Sequence, residues 1–386
     1  MRYHQLQALL KDNGIEAALL SYHRDLYFYA GTSQPCNLLV PQEGSPVLFV
    51  RRAIDFVRQE TCLENLISAA GFEPIYESLL DRFPQGGKLG VALDILPARL
   101  YLRMQQYFPK FELVNVSPLI LQQRMIKEEA EIKRLKDAAE VFKEAHRAVM
   151  ENLRPGITEK ELALEVYRAV RKGGAEAVNF HRRWDGVSSH EGVLAGSKTA
   201  WQISGLAMTV TGKGEGSHLP WGASKERLEK GDQVVLDIGI HAGGYHNDTA
   251  RTYVVGKADS LLRERYQAVE EIMQNALTKL IPGVPAEEVY FSALEKAKSL
   301  QVEHYLQGCG DMQGNYIGHG IGVELDEPPA LMEGVKEPLQ KNMVVCVEPK
   351  LIIPHWGAAN VEDTLIVRGN SPESLSSVPR KLYEVF

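Results

Sequence analysis

The sequence predicts two domains, an α/β domain with a mixed sheet followed by an α+β domain. Length is the first observation behind this prediction, because 386 residues suffice for two domains that each bury a core. The second is an alternation of helical and strand patterns early in the chain, and the third is a pair of apolar hairpin patterns later. We place the boundary between residues 122 and 123, just before an amphipathic helix expected over 124–153.

The first domain, residues 1–122, is predicted from short apolar runs that alternate with helical patterns. Turn residues such as Pro, Gly and Ser separate some of the runs. The runs cover residues 16–22, 37–40, 46–50, 88–93 and 111–116. This alternation is typical of an α/β domain. We find no catalytic constellation within it.

Two aspartates of the second domain, residues 123–386, lie on strands expected to form a hairpin. The apolar run 233–240 is followed by a turn-like His-Ala-Gly-Gly segment and by a second strand pattern over 245–255. If the turn closes across those four residues, Asp237 lies directly opposite Asp248. Two carboxylates about 5 Å apart repel by roughly 3 kcal/mol at an effective dielectric near 20. We therefore expect a cation between them.

A second hairpin repeats this arrangement with glutamates. The apolar runs 344–353 and 358–367 flank turn residues, and pairing centred on that turn sets Glu348 opposite Glu362. Between the two hairpins in the sequence, His319 has a glycine on each side, and bare backbone there would let a ligand approach closely. Four carboxylates and one imidazole form a ligand set for two divalent ions.

An internal repeat is predicted in the second domain. The segments 153–161 and 280–288 each contain a Pro-Gly pair that ends one helix before another begins. In the first copy, Thr158 and Glu161 predict a capping box. One carboxylate-bearing hairpin follows each copy, so two related halves would each donate two acidic ligands to a central site.

Charge, hydropathy and cysteine usage exclude several classes of protein. The formal net charge of −7 gives no support for nucleic acid or an anionic membrane as a partner. No run is long enough to span a membrane, and the N-terminal pattern is helical and polar rather than that of a signal peptide. The four cysteines include no CxxC pair, which favours free thiols in a cytoplasmic protein. For Cys346 we predict core packing.

The five candidate ligands, taken with their flanking residues, resemble the metal ligands of the pita-bread metallopeptidases. The motifs are Val-Val-Leu-Asp-Ile-Gly, Asn-Asp-Thr-Ala-Arg-Thr, Gly-His-Gly-Ile-Gly, Val-Glu-Pro and Val-Glu-Asp-Thr, in this order along the chain. A first α/β domain followed by a long helix is typical of the creatinase, prolidase and aminopeptidase P branch of that superfamily. The resemblance implies a creatinase-like N-terminal domain and a pita-bread catalytic domain with an internal pseudo-twofold repeat.

The same resemblance implies a dinuclear metallopeptidase of the Xaa-Pro aminopeptidase or Xaa-Pro dipeptidase (prolidase) type. Asp237 and Glu362 would bridge the two cations, and Asp248, His319 and Glu348 would complete their shells. In that scheme a metal-bridged hydroxide attacks the peptide bond before proline, and Glu348 also passes a proton to the leaving nitrogen. The oxygen-rich set suits Mn²⁺ or Co²⁺, with Zn²⁺ or Fe²⁺ as alternatives. We also expect a homodimer acting on small peptides.

Two histidines that handle substrate in this superfamily are replaced here. Trp221 stands in place of one and is expected to wall the pocket, and Asp326 stands in place of the other. Asp326 is either a proton carrier or a surface acid, and His218 is either a substitute proton donor or a solvated loop residue. His246 is a candidate substrate contact, because it lies two positions before Asp248 and so shares its strand face.

Three further expectations concern the surroundings of the site and the function as a whole. The segment 199–216, rich in Gly, Ser and Thr, is expected to reshape the pocket, and Arg251 is expected to form a structural ion pair. The replaced histidines leave open a hydrolase or lyase that acts on a small non-peptide metabolite. A binding protein without catalysis is the remaining alternative, which the complete ligand set disfavours.

Overall fold

The computed structural model divides the chain into two compact units, Met1–Arg124 and Met125–Phe386. The division lies close to the boundary expected between residues 122 and 123. The structure describes residues 2–183, 192–205 and 209–386. Within these residues, no helix is both long and apolar enough to cross a membrane. All four cysteines have free thiols.

The first unit is built on a six-stranded sheet in the order β4-β3-β2-β1-β5-β6. Its strands are β1 (Ala17–Leu20), β2 (Cys36–Pro41), β3 (Val47–Val50), β4 (Leu66–Ser68), β5 (Gly87–Val91) and β6 (Phe111–Asn115). Its helices are α1 (Arg2–Asp12), α2 (His23–Ala30), α3 (Ile54–Glu60), α4 (Glu73–Arg82), α5 (Ala98–Tyr107) and α6 (Ser117–Met125). Because β1 is antiparallel to β2 and parallel to β5, the predicted mixed sheet is confirmed.

Burial on both faces of this sheet explains why its strands are continuous apolar runs. Ala18 and Leu20 pack into the core on one face, whereas Ala17 and Leu19 pack into the core on the other. Successive side chains of a strand point to opposite faces, so a strand covered on both sides has no polar alternation.

The second unit contains a four-stranded sheet, β17-β9-β8-β7, a five-stranded sheet, β11-β10-β12-β15-β16, and the pair β13-β14. Its helices are α7 (Glu129–Glu140), α8 (Phe142–Asn152), α9 (Glu159–Lys172), α10 (Ser260–Leu277) and α11 (Ala286–Ser299). Its strands are β7 (Val193–Gly196), β8 (Gln233–Ala242), β9 (Tyr245–Val255), β10 (Tyr316–Gly320), β11 (Glu327–Met332), β12 (Val344–Val347), β13 (Lys350–Ile353), β14 (Gly357–Asn360), β15 (Asp363–Ile366), β16 (Glu373–Ser374) and β17 (Tyr383–Val385).

The single helix expected over 124–153 is divided in the structure. Helix α6 ends at Met125, and α7 starts afresh because Glu128 and Glu131 form a capping box at its N-terminus. The next helix, α8, begins directly after Val141. The apolar periodicity continues across these breaks, whereas the capping residues that end and restart a helix give a weaker signal.

The first predicted hairpin is present, but its register differs from the expected one by two residues. The turn consists of Gly243 and Gly244 alone, with φ of 59° and 82°, so the strands remain paired closer to the tip than we expected. Asp237 therefore pairs with Ala250 rather than with Asp248. A shift of two residues leaves each side chain on its original face, so both aspartates still face the same side of the sheet.

The second hairpin has the predicted register but is interrupted. The pairs β12–β15 and β13–β14 share one register, which sets Glu348 and Glu362 at opposed positions. The ladder breaks between them because Pro349 has no N–H to donate. There, Val361 donates its backbone N–H to the carbonyl oxygen of Pro349 at 3.3 Å. The glutamates thus lie where the chain leaves the five-stranded sheet and enters the separate pair.

The two segments of the proposed repeat have similar local structures. Thr158 caps α9 and forms the predicted capping box with Glu161. Pro285 lies at the N-cap position of α11, without a side-chain cap. Thr158 forms an isolated bridge with Arg227, and Pro285 forms one with Pro338. These local similarities support the repeat, which stays a prediction for the halves as a whole.

Candidate metal centre

All five predicted ligands line one cavity of about 480 Å³ in the second unit. Three of them lie within strands: Asp237 in β8, Asp248 in β9 and His319 in β10. The other two lie next to strands: Glu348 directly follows β12, and Glu362 directly precedes β15. The three carboxylates of Asp248, Glu348 and Glu362 are all buried. The fold therefore gathers residues from two sheets into one enclosed acidic cluster.

Two overlapping groups of ligand atoms are close enough to hold metal ions. Carboxylate oxygens of Asp237, Asp248 and Glu362 lie within 4.8 Å of one another, and so do ligand atoms of His319, Cys346 and Glu362. Glu362 belongs to both groups, which is the arrangement that a bridging ligand requires. The bridging role of Asp237 stays a prediction.

Buried carboxylate oxygens without partners show that the cluster fits a cation. Among the described residues, Asp248 Oδ1 and Glu362 Oε1 have no hydrogen-bond partner. Burial raises the pKa of both carboxyl groups well above their ordinary values, and the neighbouring carboxylates raise it further. Leaving such groups unpaired in the interior is costly, and a divalent cation removes that cost.

Lys350 is a buried cation within the cluster that the sequence analysis did not identify. Its Nζ donates to Glu348 Oε2 and to Thr209 Oγ1, the latter at 2.6 Å, and lies 3.9 Å from Asp237 Oδ2. The only signal in the sequence is a lysine directly after Pro349 at the start of a buried strand. One ammonium does not neutralise four carboxylates, so the requirement for further positive charge remains.

The backbone around Asp248 and Asp237 is fixed by short side chains. Thr364 Oγ1 accepts from the Asp248 N–H at 3.1 Å and donates to the Asp248 carbonyl at 2.9 Å. Asn360 Nδ2 donates to Asp237 Oδ2 at 3.1 Å. These bonds restrict the positions of the two aspartates before any ion binds.

Arg251 supports Glu362 from behind the cluster. Its guanidinium donates to the Glu362 carbonyl at 2.7 Å and pairs with Asp363 Oδ1 at 2.7 Å. Backbone bonds between Ala250 and Glu362, at 3.1 and 3.3 Å, join β9 to the segment before β15. The structural ion pair predicted for Arg251 is therefore confirmed, and it fixes one ligand relative to another.

His319 is oriented for ligation through Nε2. Nδ1 lies 2.9 Å from the Gly320 carbonyl, which can only accept, so Nδ1 carries the proton of that bond. Nε2 then faces Glu348 Oε1 at 3.7 Å. Burial lowers the pKa of His319, but the carboxylates of Asp326, Glu348 and Asp248 outweigh burial and raise the pKa to about 9. A cation at Nε2 would displace the proton held there.

Asp326 lies between two imidazoles at the edge of the cluster. Its Oδ1 is 3.4 Å from His319 Nδ1, and its Oδ2 is 3.0 Å from His181 Nδ1. Desolvation acts to raise the pKa of Asp326, but His319 and His181 hold it well below the ordinary value. His181 also lines the cavity, and sequence reasoning missed it because no motif surrounds it.

Family models match both units of the chain. Residues 133–369 match the model of metallopeptidase family M24, and residues 2–126 match the creatinase/prolidase N-terminal domain. The chain belongs to metallopeptidase family M24. The predicted class of enzyme, a metallopeptidase and hence a hydrolase, is confirmed.

Individual relatives of this M24 chain resemble it over nearly its whole length. The Xaa-Pro dipeptidase of Pyrococcus furiosus and an uncharacterized peptidase of Bacillus subtilis are each 27% identical to it, over 99% of both chains. Among solved structures, the Xaa-Pro dipeptidase from Bacillus anthracis has a TM-score of 0.84 at 24% identity, over 99% of this chain and 98% of that one. The prolidase from Pyrococcus furiosus has a TM-score of 0.78 at 25% identity, over 97% and 100%. The predicted two-domain fold is confirmed.

The structure does not bring two predicted site residues of this M24 chain to the cavity. His218 is exposed on a loop and is not among the residues that line the cavity. His246 is fully buried, where its Nε2 accepts from the Phe180 N–H at 3.1 Å and its Nδ1 lies 3.2 Å from the Gly322 carbonyl. His246 shares a strand face with Asp248, but it does not line the cavity, because the segment around Gly322 packs against that end of the strand.

The glycines beside His319 have a different cause from the one we expected. A Cβ at Gly318 would lie 1.9 Å from the Cys346 carbonyl oxygen, and a Cβ at Gly320 would lie 2.2 Å from the Pro328 carbonyl oxygen. Close approach between neighbouring strands therefore requires glycine at both positions. Gly318 also lines the cavity, but close packing of the strands already accounts for its lack of a side chain.

Apolar side chains form part of the remaining wall of the cavity, beside polar ones such as Asn179 and Arg183. Trp221 lines it, as predicted, together with Val193, Leu325 and Met332. Thr209, from the segment 199–216, lines it as well, whereas residues 206–208 of that segment lie outside the described residues. A cavity that combines an acidic cluster with apolar side chains suits a substrate with a polar reacting group and an apolar body.

Proposed function

We propose that this M24 chain is a dinuclear peptidase that cleaves the bond before proline in short peptides, as an Xaa-Pro dipeptidase or aminopeptidase. The observation that carries the proposal is the convergence of all five family ligands on one cavity, with buried carboxylate oxygens unpaired among the described residues. The names of its relatives support the preference for proline.

Each of the two cations would be bound by its own group of residues, with some residues shared. Asp237, Asp248 and Glu362 would hold one ion. His319 and Glu348, which lie 3.7 Å apart, would hold the other together with Glu362 and Asp237 as bridging ligands. Mn²⁺ and Co²⁺ fit this set of four carboxylates and one imidazole, as Zn²⁺ and Fe²⁺ do less closely. Bound divalent cations activate water and stabilise negative charge on a carbonyl oxygen.

Residues of the chain itself handle protons and orient the peptide. Glu348 directs Oε1 towards His319 while Lys350 holds Oε2, so one oxygen remains towards the cavity to exchange a proton with the leaving nitrogen. Asp326, paired with His181, supplies an anionic group in the place where related peptidases have a histidine. The apolar wall near Trp221 would receive the side chains of the peptide.

Assays on peptides of graded length test this proposal. Metal-free protein is reconstituted with Mn²⁺ or Co²⁺ and offered Xaa-Pro dipeptides, longer Xaa-Pro peptides and matched Xaa-Ala peptides. We expect cleavage before proline, and its dependence on length separates a dipeptidase from an aminopeptidase. Absence of hydrolysis of every peptide by folded, metal-loaded protein would reject the proposal.

A second candidate function is hydrolysis or elimination on a small non-peptide metabolite. Asp326 and Trp221, which occupy the places of two family histidines in the cavity, favour it. Turnover of a proline peptide that is lost in Asp248→Ala would decide against this candidate.

Assembly and location complete the proposal. We propose a homodimer, which light scattering on the purified chain tests directly. We propose the cytoplasm as its compartment, because its four thiols are all free. Formation of disulfides in protein isolated under non-reducing conditions would contradict that assignment.

A further inference from the structure

Lys350 lies in an unusual position for a lysine, inside the core and against metal ligands. Its side chain is fully buried at the start of β13, where the next two residues, Leu351 and Ile352, are also fully buried. An ammonium group is tolerated in such surroundings only when anions and hydrogen-bond acceptors compensate it. Here the compensation comes from Glu348, Asp237 and Thr209.

The contacts of Lys350 are unequal with respect to the two ligand groups. Its Nζ bonds directly to Glu348 Oε2 but lies 3.9 Å from the nearer oxygen of Asp237. Asp237 has a second partner in Asn360, whereas Asp248 and Glu362 have no ion pair with Lys350. The positive charge of Lys350 therefore acts most strongly on Glu348, next to His319.

We propose that Lys350 is a built-in counter-cation that competes with one of the two metal ions. The ion that needs Glu348 and His319 binds more weakly than it would without Lys350, because Lys350 shares Glu348. Lys350 is thus a positioning residue: it fixes Glu348 and sets the metal concentration at which the centre fills. This inference rests on the dinuclear site proposed above, but not on the identity of the substrate.

Titration with Mn²⁺ alone tests the inference without any assay of turnover. Apoprotein of the full chain is titrated while free Mn²⁺ is followed by electron paramagnetic resonance, and bound metal is counted by elemental analysis. The wild-type titration gives the reference affinities of the two Mn²⁺ ions. Lys350→Met, which keeps the aliphatic stem without the charge, should strengthen binding of one of the two ions about tenfold or more. Unchanged or weakened binding of both ions in Lys350→Met would overturn the inference.

Two control variants separate charge from packing. Lys350→Arg keeps the positive charge and should leave both Mn²⁺ affinities near their wild-type values. Thr209→Val removes a hydrogen bond of the ammonium but not its charge, and should change either affinity by less than about threefold. If Lys350→Met does not fold, Lys350→Gln replaces it, with the same expected result. Strengthened Mn²⁺ binding in a protein that cleaves no Xaa-Pro peptide would uphold this inference and reject the proposed peptidase activity, so the two failures are distinguishable.

Discussion

Two aspartates in the same cavity behave in opposite ways. Asp248 is buried with one oxygen unpaired among the described residues, and burial followed by the charge of Asp237 raises its pKa. Asp326 is half-exposed beside His319 and His181, which together lower its pKa despite desolvation. The comparison teaches that the cluster around Asp248 has too little positive charge to balance its carboxylates, even with Lys350, and calls for a cation. The side of Asp326 already has its positive charge from the protein.

The largest expected effect comes from removing the charge of Asp248. In Asp248→Asn the amide keeps the shape of the side chain, but the cluster loses a ligand and a negative charge. We expect Mn²⁺ affinity to fall by at least about a hundredfold and peptidase activity by about a thousandfold. Elemental analysis and steady-state assays measure the two effects. If this variant retained both metal ions, Asp248 would not be the side of the cavity that requires a cation.

Asp326→Asn should have a smaller and different effect. Because Asp326 orients imidazoles rather than completing the carboxylate cluster, we expect kcat to fall about 10- to 100-fold while the bound metal stays near the wild-type amount. The matched variant His181→Gln should lower kcat in the same direction. Loss of metal from Asp326→Asn equal to that from Asp248→Asn would show that the two sides of the cavity are not distinct.

The pH dependence of stability separates the apoprotein from the metal-bound protein. The pKa values of Asp248 and Glu362 are raised in the folded apoprotein, so the folded state binds more protons than the unfolded state above the ordinary carboxyl range. Their contribution to stability is therefore lost as pH rises from about 4 towards neutrality. Relative to metal-bound protein, the Tm of apoprotein should fall by roughly 5 °C or more across this range. If the Tm changed with pH in the same way with and without metal, this prediction would be contradicted.

The smallest effect is expected at His218, which is exposed and does not line the cavity. His218→Ala should change kcat/KM by less than about twofold and leave the Tm within about 2 °C of the wild type. A large loss of activity would mean that the loop of His218 reaches the reacting groups. The comparison between the Asp248 side and the Asp326 side of the cavity would then have to include this loop.

The hairpins show which parts of the site sequence patterns determine. The predicted strands and their hairpin are confirmed, and the two-residue period of a strand places Asp237 and Asp248 on one face although they are not directly opposed. The exact pairing depends on how many residues the turn contains, and the Gly243-Gly244 turn is tighter than the four-residue turn we expected. Since a change of two residues preserves the face, the site tolerates this error.

Lys350 and His181 could not be predicted, because their positions depend on contacts between distant segments. Lys350 becomes part of the cluster only when β13 brings it beside Asp237, which lies more than a hundred residues earlier. His181 meets Asp326 across a similar separation. The converse error at His246 has the same origin, since the sequence does not reveal that Gly322 covers it. Family motifs identify ligands, whereas their partners depend on packing.

The break at Pro349 couples the metal centre to the continuity of the fold. Glu348 and Glu362 lie at the seam where one ladder ends and another begins, with few backbone hydrogen bonds across it. A cation bound by both glutamates would link the five-stranded sheet to the β13–β14 pair. Loading with metal should accordingly slow amide hydrogen exchange along this seam, so that occupancy of the centre can be read from the backbone.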